Sequence, residues 1–295
     1  MKKLLCLALA LLIALLAFPV SAEEAEKEPM QISDTDTNIA TPAIDRSLQE
    51  LLDHDYPEDA EGTDEVFNDP FIPDEVMPDR RIVGTDDRTT ISDPSRYPYS
   101  AIAYMIVHAE CGCEWTGSAF MVGKRGAMTA AHCLVCTTHN RCADRITLYF
   151  GYKSNSNYFY KYDDATSYWY GISGGGNDRG WDYGYIRLNS NVGERTGWFG
   201  TKAMSDSELN GAVMNLAGYR QGVIKRDFDR VTVVNANVID HRIDTEKGYS
   251  GCPIYDDDYY AVAINVAEYT DFEGNIGRRI TGSLQNDMRA AGIFD

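Results

Sequence analysis

Residues 248–253 read Gly-Tyr-Ser-Gly-Cys-Pro, so a serine stands between two glycines with a proline three positions later. Glycine adopts turn conformations that other residues resist, and its small size lets another molecule approach the backbone closely. The stretch is therefore compatible with a simple turn between two strands. It is also compatible with an exposed nucleophile whose neighbouring N–H groups stabilise a developing oxyanion. The rest of the chain has to distinguish these interpretations.

The first part of the chain has the composition of exported and processed segments. Residues 1–22 combine two lysines, a long apolar run and a Val-Ser-Ala ending, which is typical of a cleaved secretory signal peptide. Residues 23–81 contain 19 acidic and 4 basic side chains, against 26 and 21 in residues 82–295. A segment so charged and so poor in apolar residues indicates an acidic, largely disordered pro-segment, with one short helix at residues 47–54. We therefore expect a secreted, extracellular protein without membrane contact after signal removal.

The remaining residues, 82–295, alternate short apolar runs with Gly, Asn, Asp and Pro, a pattern typical of an all-β sandwich or barrel. The expected strands cover residues 101–107, 117–122, 146–151, 183–188, 212–218, 230–238, 253–255, 260–266 and 279–281. Helix is expected only near residues 130–134 and in a short closing segment at residues 284–291. The acidic balance offers no patch for nucleic acid.

Six cysteines remain after removal of the signal peptide: Cys111, Cys113, Cys133, Cys136, Cys142 and Cys252. An even number of cysteines in an exported protein favours disulfides. The sequence suggests a local bridge between Cys136 and Cys142, and a second one from Cys133 to Cys111 or Cys113. The close spacing of the thiols also suits tetrahedral zinc, which is the weaker interpretation. We expect no metal and no cofactor.

A serine at its ordinary pKa needs a base within hydrogen-bond reach, and that base needs an orienting group. Among the histidines, His132 stands apart because it lies in Thr-Ala-Ala-His-Cys, where small residues permit close packing. Asp182 begins a strongly apolar strand, so its carboxylate is expected to be partly buried and in need of a hydrogen-bond donor. An imidazole N–H would supply that donor and fix the tautomer.

The motifs TAAHC, WDYGYIRL and GYSGCP, in this order, resemble those of the chymotrypsin-like serine peptidases. The flanking stretches IVGTDDRT, YPYSAI and GWFG are similar to those of the secreted bacterial glutamyl endopeptidases. The resemblance implies two six-stranded antiparallel β-barrels with a catalytic cleft between them. It also implies that Ser250 is the nucleophile, His132 the general base and Asp182 the orienting acid, with the backbone N–H groups of Gly248 and Ser250 as the oxyanion hole.

The same resemblance implies activation by cleavage after Arg81, by another protease or by the protein itself, with Ile82 as the new N-terminus. The implied substrate pocket contains Asp244, Thr245 and Asn265. An acid such as Asp244 favours Arg or Lys substrates, whereas the glutamyl endopeptidase resemblance favours Glu or Asp. The two alternatives stay open because the neutral Asn265 stands where that branch places a histidine.

The sequence thus predicts a monomeric serine endopeptidase made as a zymogen, acting on protein or peptide substrates. The alternative is a catalytically silent binding or adhesion protein on the same fold, suggested by the unusual residues Tyr249, Asn265 and Ala267. A zinc-dependent hydrolase built on the cysteines is a third hypothesis.

Overall fold

The structure, a computed structural model, describes the backbone of residues 38–40 and residues 82–136, 138–139, 141–153, 157–163, 167–171, 179–268 and 274–294. The signal peptide, the helix at residues 47–54 and Arg81 lie outside the described residues. No described helix is long and apolar enough to cross a membrane.

Strands dominate the described chain. In chain order they are β1 (Asn38–Ala40), β2 (Thr89–Thr90), β3 (Ile102–Ala109), β4 (Glu114–Met121), β5 (Gly126–Thr129), β6 (Val135–Cys136), β7 (Arg141–Phe150), β8 (Tyr160–Tyr162), β9 (Ser167–Tyr170), β10 (Gly184–Arg187), β11 (Gly200–Lys202), β12 (Val213–Arg220), β13 (Val223–Asn235), β14 (Val238–His241), β15 (Pro253–Tyr255), β16 (Tyr260–Glu268) and β17 (Asn275–Arg279). The helices are α1 (Gly193–Thr196), α2 (Asp206–Leu209) and α3 (Gly282–Ala290), and single 3-10 turns span Tyr99–Ala101, Ala131–Cys133 and Arg179–Trp181.

The first sheet is built from β3 to β10. Its strands follow the order β6-β7-β3-β4-β5-β10-β9, and β8 pairs with β7. All these pairings are antiparallel. The central strand β3 is an almost unbroken apolar run, and seven of its eight residues are buried. Such a run fits a strand that packs on both faces. The sheet curls into a half-barrel that does not close among the described residues.

The second sheet closes on itself. Its strands β16-β15-β12-β13-β14-β17 follow one another, and β17 pairs back to β16. These six strands form a closed barrel, in which each strand pairs with a neighbour on both sides. Strand β11 pairs with the start of β16 and strand β2 with β13, where the ring leaves edge positions free, and β1, from the acidic segment, pairs with β11.

The predicted all-β, chymotrypsin-like fold class is confirmed, but only one of the two predicted six-stranded barrels closes, because the strands of the first sheet do not pair back to form a ring among the described residues. Each predicted strand overlaps an observed one, but the prediction for residues 230–238 runs through the turn that separates β13 from β14. The prediction for residues 279–281 meets β17 only at Arg279. Short strands such as β5 and β11 escaped prediction because three or four residues show no periodicity.

The closing helix α3 is confirmed close to its predicted place. Thr281 caps its N-terminus, since the Leu284 N–H lies 3.3 Å from the Thr281 hydroxyl. Leu284 and Met288, one turn apart, are buried against the core. A Thr or Ser cap satisfies one of the backbone donors that every helix start leaves free.

The cysteines do not adopt the predicted pairing. All six cysteines after the signal segment are described, and none forms a disulfide in the structure. Cys136 lies near His139 instead of forming a bridge to Cys142, and Cys142 contacts the Tyr170 hydroxyl. Cys133 lies against the Ser250 carbonyl instead of reaching Cys111 or Cys113.

Candidate active site

The register of β5 against β10 brings two predicted site residues together. The strands are antiparallel, and Thr129, the last residue of β5, lies opposite Gly184, the first residue of β10. The chain leaving β5 and the chain entering β10 therefore lie at the same end of the sheet. His132 follows Thr129 in a 3-10 turn, and Asp182 lies two residues before Gly184. The sheet thus positions an imidazole beside a carboxylate.

Asp182 binds His132 through both its ring and its backbone. The ring Nδ1 lies 2.9 Å from Asp182 Oδ2 and 3.1 Å from Oδ1, and the His132 backbone N–H donates to Oδ1 at 3.1 Å. The Asp182 side chain is fully buried, whereas that of His132 is 21% exposed. With Nδ1 held by the carboxylate, Nε2 is the ring nitrogen left for another partner.

The charge of each partner changes the pKa of the other. Burial alone would lower the pKa of His132, but the Asp182 carboxylate and the neighbouring Cys133 together raise it well above its ordinary value. Burial alone would raise the pKa of Asp182, but His132 and its hydrogen bonds lower it. Arg179, whose Nη1 lies 3.4 Å from Oδ2, also lowers the pKa of Asp182. The carboxylate is therefore charged at neutral pH and can stabilise an imidazolium.

The turn that carries Ser250 lies between β14 and β15, and the first sheet holds it in place. The backbone N–H of Ser118, in β4, donates to the Ser250 carbonyl at 2.9 Å. The Ser118 hydroxyl donates to the Gly248 carbonyl at 2.9 Å and accepts from the Tyr219 N–H at 3.0 Å. Ser118 is fully buried. Ser118, in the first sheet, therefore holds both the serine turn and β12 of the second sheet in place.

Both glycines beside Ser250 are required by the geometry. Gly248 has φ +100°, and a Cβ there would lie 2.6 Å from the Tyr219 carbonyl oxygen. Gly251 has φ +87°, and a Cβ there would lie 2.2 Å from the Ser118 carbonyl oxygen. These are left-handed conformations with no space for a side chain. The two glycines are therefore needed because the turn packs closely against the backbone of Tyr219 and Ser118.

Two N–H groups of this turn have no backbone acceptor among the described residues. The N–H groups of Tyr249, Gly251 and Cys252 donate to carbonyls within the protein, but those of Gly248 and Ser250 do not. These are the two donors that the family resemblance implies for the oxyanion hole. A pair of free N–H groups beside a serine is the arrangement that stabilises an oxyanion.

The serine turn also lies beside the segment that carries His132. The Sγ atom of Cys133, the next residue, lies 3.7 Å from the Ser250 carbonyl oxygen. In the described part of the chain, no hydrogen bond joins the Ser250 hydroxyl to the His132 ring. Such bonds are often long before substrate binds.

Asn265, in β16, lies directly behind the serine turn. Its backbone exchanges hydrogen bonds with Gly251 and Cys252 at 2.8 and 2.9 Å. Its Nδ2 donates to the Tyr249 carbonyl at 3.2 Å, and its Oδ1 lies 3.1 Å from His241 Nε2. Both Asn265 and His241 are almost fully buried. Burial lowers the pKa of His241 to about 4, so this pair is neutral at pH 7.

Asp244 lies against residues 82–88, called the N-terminal segment here because they follow the predicted cleavage site. It is 2% exposed, and its Oδ1 accepts the Val83 N–H at 2.6 Å. Its own N–H donates to Asp227 Oδ2 at 2.7 Å, and burial raises the pKa of both carboxyl groups. Thr245 follows it and is 5% exposed. Asp244 thus has a partner within the chain, which the pocket assignment did not anticipate.

The residue after Thr245 also contacts the N-terminal segment. Glu246 Oε1 lies 2.7 Å from Arg88 Nη1, and the Arg88 guanidinium lies over the Tyr249 ring, 5.5 Å from its centre. The segment that follows the predicted cleavage site is therefore bonded to residues 244–249, immediately before Ser250.

Sequence reasoning missed Ser118 and His241. Ser118 lies in an apolar strand, where its small hydroxyl gives no local signal of a contact with residues 219 and 248. His241 ends a strand without a recognisable motif, and its partner lies 24 residues later. Closure of the barrel brings His241 to Asn265, and the contact between the two sheets brings Ser118 to residues 219 and 248.

Comparisons with known proteins give two relatives, although no family model matches the chain. The chain is 27% identical over 307 residues to a protein of Bacillus subtilis named extracellular metalloprotease, covering 97% of this chain and 93% of the relative. It is 27% identical over 183 residues to a glutamyl endopeptidase of Bacillus licheniformis, covering 60% of this chain and 55% of the relative.

Solved structures share the fold. A Glu endopeptidase structure superposes with a TM-score of 0.61 at 21% identity, covering 71% of this chain and 98% of the other. A thermostable serine protease from an extremophilic microorganism gives a TM-score of 0.53 at 17% identity, covering 66% and 98%. Together with the glutamyl endopeptidase relative, these matches confirm the predicted chymotrypsin-like fold and the predicted class, a serine-type endopeptidase.

Proposed function

We propose that this chain, a serine-type endopeptidase related to the glutamyl endopeptidases, hydrolyses peptide bonds through Ser250, His132 and Asp182. The observation that carries the proposal is the buried Asp182 carboxylate bonded to His132 beside the glycine-flanked serine turn. A buried carboxylate that orients an imidazole is the feature a serine nucleophile needs.

In the proposed reaction, Ser250 Oγ attacks the peptide carbonyl while His132 Nε2 accepts the hydroxyl proton. The N–H groups of Gly248 and Ser250 stabilise the oxyanion. His132 then donates the proton to the leaving amine, which gives an acyl-enzyme. Water attacks the acyl group while His132 accepts its proton, and His132 then returns this proton to Ser250 Oγ as the bond to the acyl carbon breaks and the carboxylic acid product leaves. Asp182 keeps its negative charge and holds the imidazolium throughout.

For the substrate we propose a preference for Glu or Asp on the amino side of the cleaved bond. The name of the licheniformis relative supports this preference. The alternative preference for Arg or Lys requires Asp244, which is buried and bonded to Val83. Asn265 and the neutral His241 bring no charge to the pocket, so the acidic side chain would be bound by neutral donors such as Thr245.

We further propose that the chain is a zymogen activated by cleavage between Arg81 and Ile82. Asp87, Asp227 and Asp244 have carboxylate oxygens within 4.8 Å of one another, next to the Val83 N–H. Asp244 Oδ2 has no hydrogen-bond partner among the described residues. Cleavage would create an α-ammonium at Ile82, one residue from this contact, and three clustered carboxylates favour a cation. Residues 244–249 would carry the effect to Ser250.

Secretion and an extracellular site of action complete the proposal. The sequence of residues 1–22 supports export, and one relative is named extracellular. N-terminal sequencing of the protein from culture medium should give Ile82 as the first residue. A mature protein that starts elsewhere would contradict the cleavage site.

The experiment that tests the activity compares the processed wild type with Ser250→Ala. We expect a fluorophosphonate probe to label only the wild type, and a peptide library to be cut after Glu or Asp by the wild type alone. Cuts after Arg or Lys would overturn the specificity proposal. No labelling of folded, processed protein would favour the silent binding protein.

The name of the subtilis relative calls for one further arm, because a metalloprotease would need a metal at its reaction centre. The initial hydrolysis rate is measured immediately after addition of a chelator, before slow unfolding contributes. An unchanged initial rate is expected for the serine mechanism, and its immediate loss would contradict it.

A further inference from the structure

Three cysteines and one histidine meet at a position that the proposed peptidase chemistry does not use. Cys111 and Cys113 lie in the turn between β3 and β4. Cys136 ends β6, and His139 lies in the turn that follows. The four possible ligand atoms, three Sγ atoms and one ring nitrogen, all lie within 4.8 Å of one another. Two separate turns of the first sheet thus converge on one point.

The distances within this cluster match a tetrahedral metal site. His139 Nδ1 lies 3.3 Å from Cys113 Sγ and 3.5 Å from Cys136 Sγ. Zinc binds sulfur at about 2.3 Å and imidazole nitrogen at about 2.0–2.1 Å, so neighbouring ligands of a tetrahedral ion stand about 3.5–3.8 Å apart. The 3.5 Å separation lies at the lower end of this range and the 3.3 Å separation just below it, and all four atoms lie within 4.8 Å of one another, so they are close enough to surround a single ion.

Simple hydrogen bonding or a disulfide explains the cluster less completely. A neutral Nδ1 has one lone pair or one proton, yet two sulfur atoms approach it. A disulfide would join two of the three cysteines and leave the third thiol and the histidine without a role. One ion bound by three thiolates and one imidazole uses all four groups.

We propose that Cys111, Cys113, Cys136 and His139 Nδ1 bind one zinc ion in a structural site. On binding, three thiols lose their protons and the imidazole is neutral, so metal affinity falls at acidic pH. Four protein ligands leave no open position for water, which distinguishes this site from a catalytic zinc.

The site would anchor the segment that carries the predicted general base. Cys136 comes four residues after His132, and the other two thiols belong to the β3–β4 turn. An ion across these turns ties the two together without touching the reacting atoms. Zinc would also protect thiols from oxidation in an exported protein, where disulfides are otherwise favoured. The proposed site revises the sequence expectation of no metal, and its ligands include His139 but not Cys133.

The first experiment measures metal and free thiols in the full secreted chain. About one zinc ion per chain is expected, with three thiols that react with a thiol reagent only after a strong chelator is added. Replacement by cobalt should give the charge-transfer and ligand-field absorption of a tetrahedral thiolate site. A disulfide between Cys136 and Cys111 or Cys113, mapped without reduction, would overturn the proposal.

The second experiment compares variants by metal content rather than by proteolysis. His139→Ala should lose most of the zinc, whereas His139→Cys should retain it because a set of four cysteine thiolates also binds zinc. The matched control is Cys142→Ser, a cysteine outside the cluster, which should retain zinc and melt like the wild type. If His139→Ala retains full zinc, or if the wild type contains none, the site does not exist. These readouts do not depend on peptidase activity.

Discussion

Two histidines in this molecule are each bonded to one short polar side chain, yet their environments have opposite effects. His132 in the first sheet faces the carboxylate of Asp182, and its pKa lies well above the ordinary value. His241 in the barrel of the second sheet faces the amide of Asn265, and burial lowers its pKa to about 4. The difference shows that a buried histidine becomes a basic group only when a charged partner offsets the loss of solvation.

The comparison also gives opposite dependences of stability on pH. The raised pKa of His132 means that its contribution to the free energy of unfolding is complete below about pH 6.5 and is lost as pH rises through the folded-state pKa. The lowered pKa of His241 means that its contribution to the free energy of unfolding is complete above about pH 6.5, where the ring is neutral in both the folded and the unfolded chain. That contribution is lost as pH falls through about 4.

The largest expected effect comes from neutralising the Asp182 carboxylate of the His132–Asp182 pair. Asp182→Asn keeps the size of the side chain but favours the wrong tautomer of His132, so kcat/KM should fall roughly 10⁴-fold. The pKa of His132 should also fall, which moves the acid limb of the pH–rate profile to lower pH. Both are measured by steady-state kinetics across pH.

The control for this variant is Asp144→Asn, which removes an exposed carboxylate on β7 and should leave kcat/KM unchanged. A loss smaller than tenfold in Asp182→Asn, with the fold intact by circular dichroism, would contradict the role of the carboxylate.

The next effect concerns the neutral pair. As pH falls from 6.5 to 4, the lowered pKa of His241 should reduce the free energy of unfolding by about 3 kcal/mol, because the unfolded chain binds the proton more readily. His241→Gln should remove this part of the pH dependence. It is measured by urea unfolding at several pH values.

His108→Gln serves as the matched control, because His108 is 23% exposed and paired with Glu114. If His241→Gln does not fold, the ring proton signals of His241 in the wild type replace it, and they should not titrate between pH 8 and 5. Titration near pH 6.5 would contradict the predicted neutral pair.

The comparison explains which parts of the site the sequence can predict. His132 and Asp182 are recognisable because each lies in a local pattern, small residues around the histidine and an apolar strand after the acid. The bond between His241 and Asn265 has no such pattern, because it depends on the closure of β14 to β17 and of β17 to β16.

The fold shows the same division between local and distant information. Strand positions such as β3 and β16 follow from local hydrophobicity. The meeting of residues 111–113 with residues 136–139 does not, because β3 and β6 come together only through their separate pairing with β7. The contact of Asp244 with Val83 spans 161 positions and is equally invisible to local patterns.

A smaller effect is expected for Ser118, which links the first sheet to the serine turn and to β12. Ser118→Ala removes the hydroxyl that bonds the Gly248 carbonyl and the Tyr219 N–H, so the free energy of unfolding should fall by about 1–3 kcal/mol. Because Gly248 is a predicted oxyanion donor, kcat should also fall while KM changes little. Ser207→Ala, at an exposed position on α2, is the control. Loss of stability with unchanged kcat would limit Ser118 to a structural role.

The smallest effect is expected for Arg179, and it tests whether Asp182 is the main charged group that sets the pKa of His132. Arg179 lies 3.4 Å from Asp182 and is one-third exposed, so its contribution is expected to stay below about 1 kcal/mol. Removing this cation in Arg179→Ala should raise the pKa of His132, which moves the acid limb of kcat/KM to higher pH by less than about 0.7 unit. The shift should shrink in high salt, because exposed charges are screened. A shift to lower pH would mean that Arg179 acts through the position of Asp182 rather than through its charge.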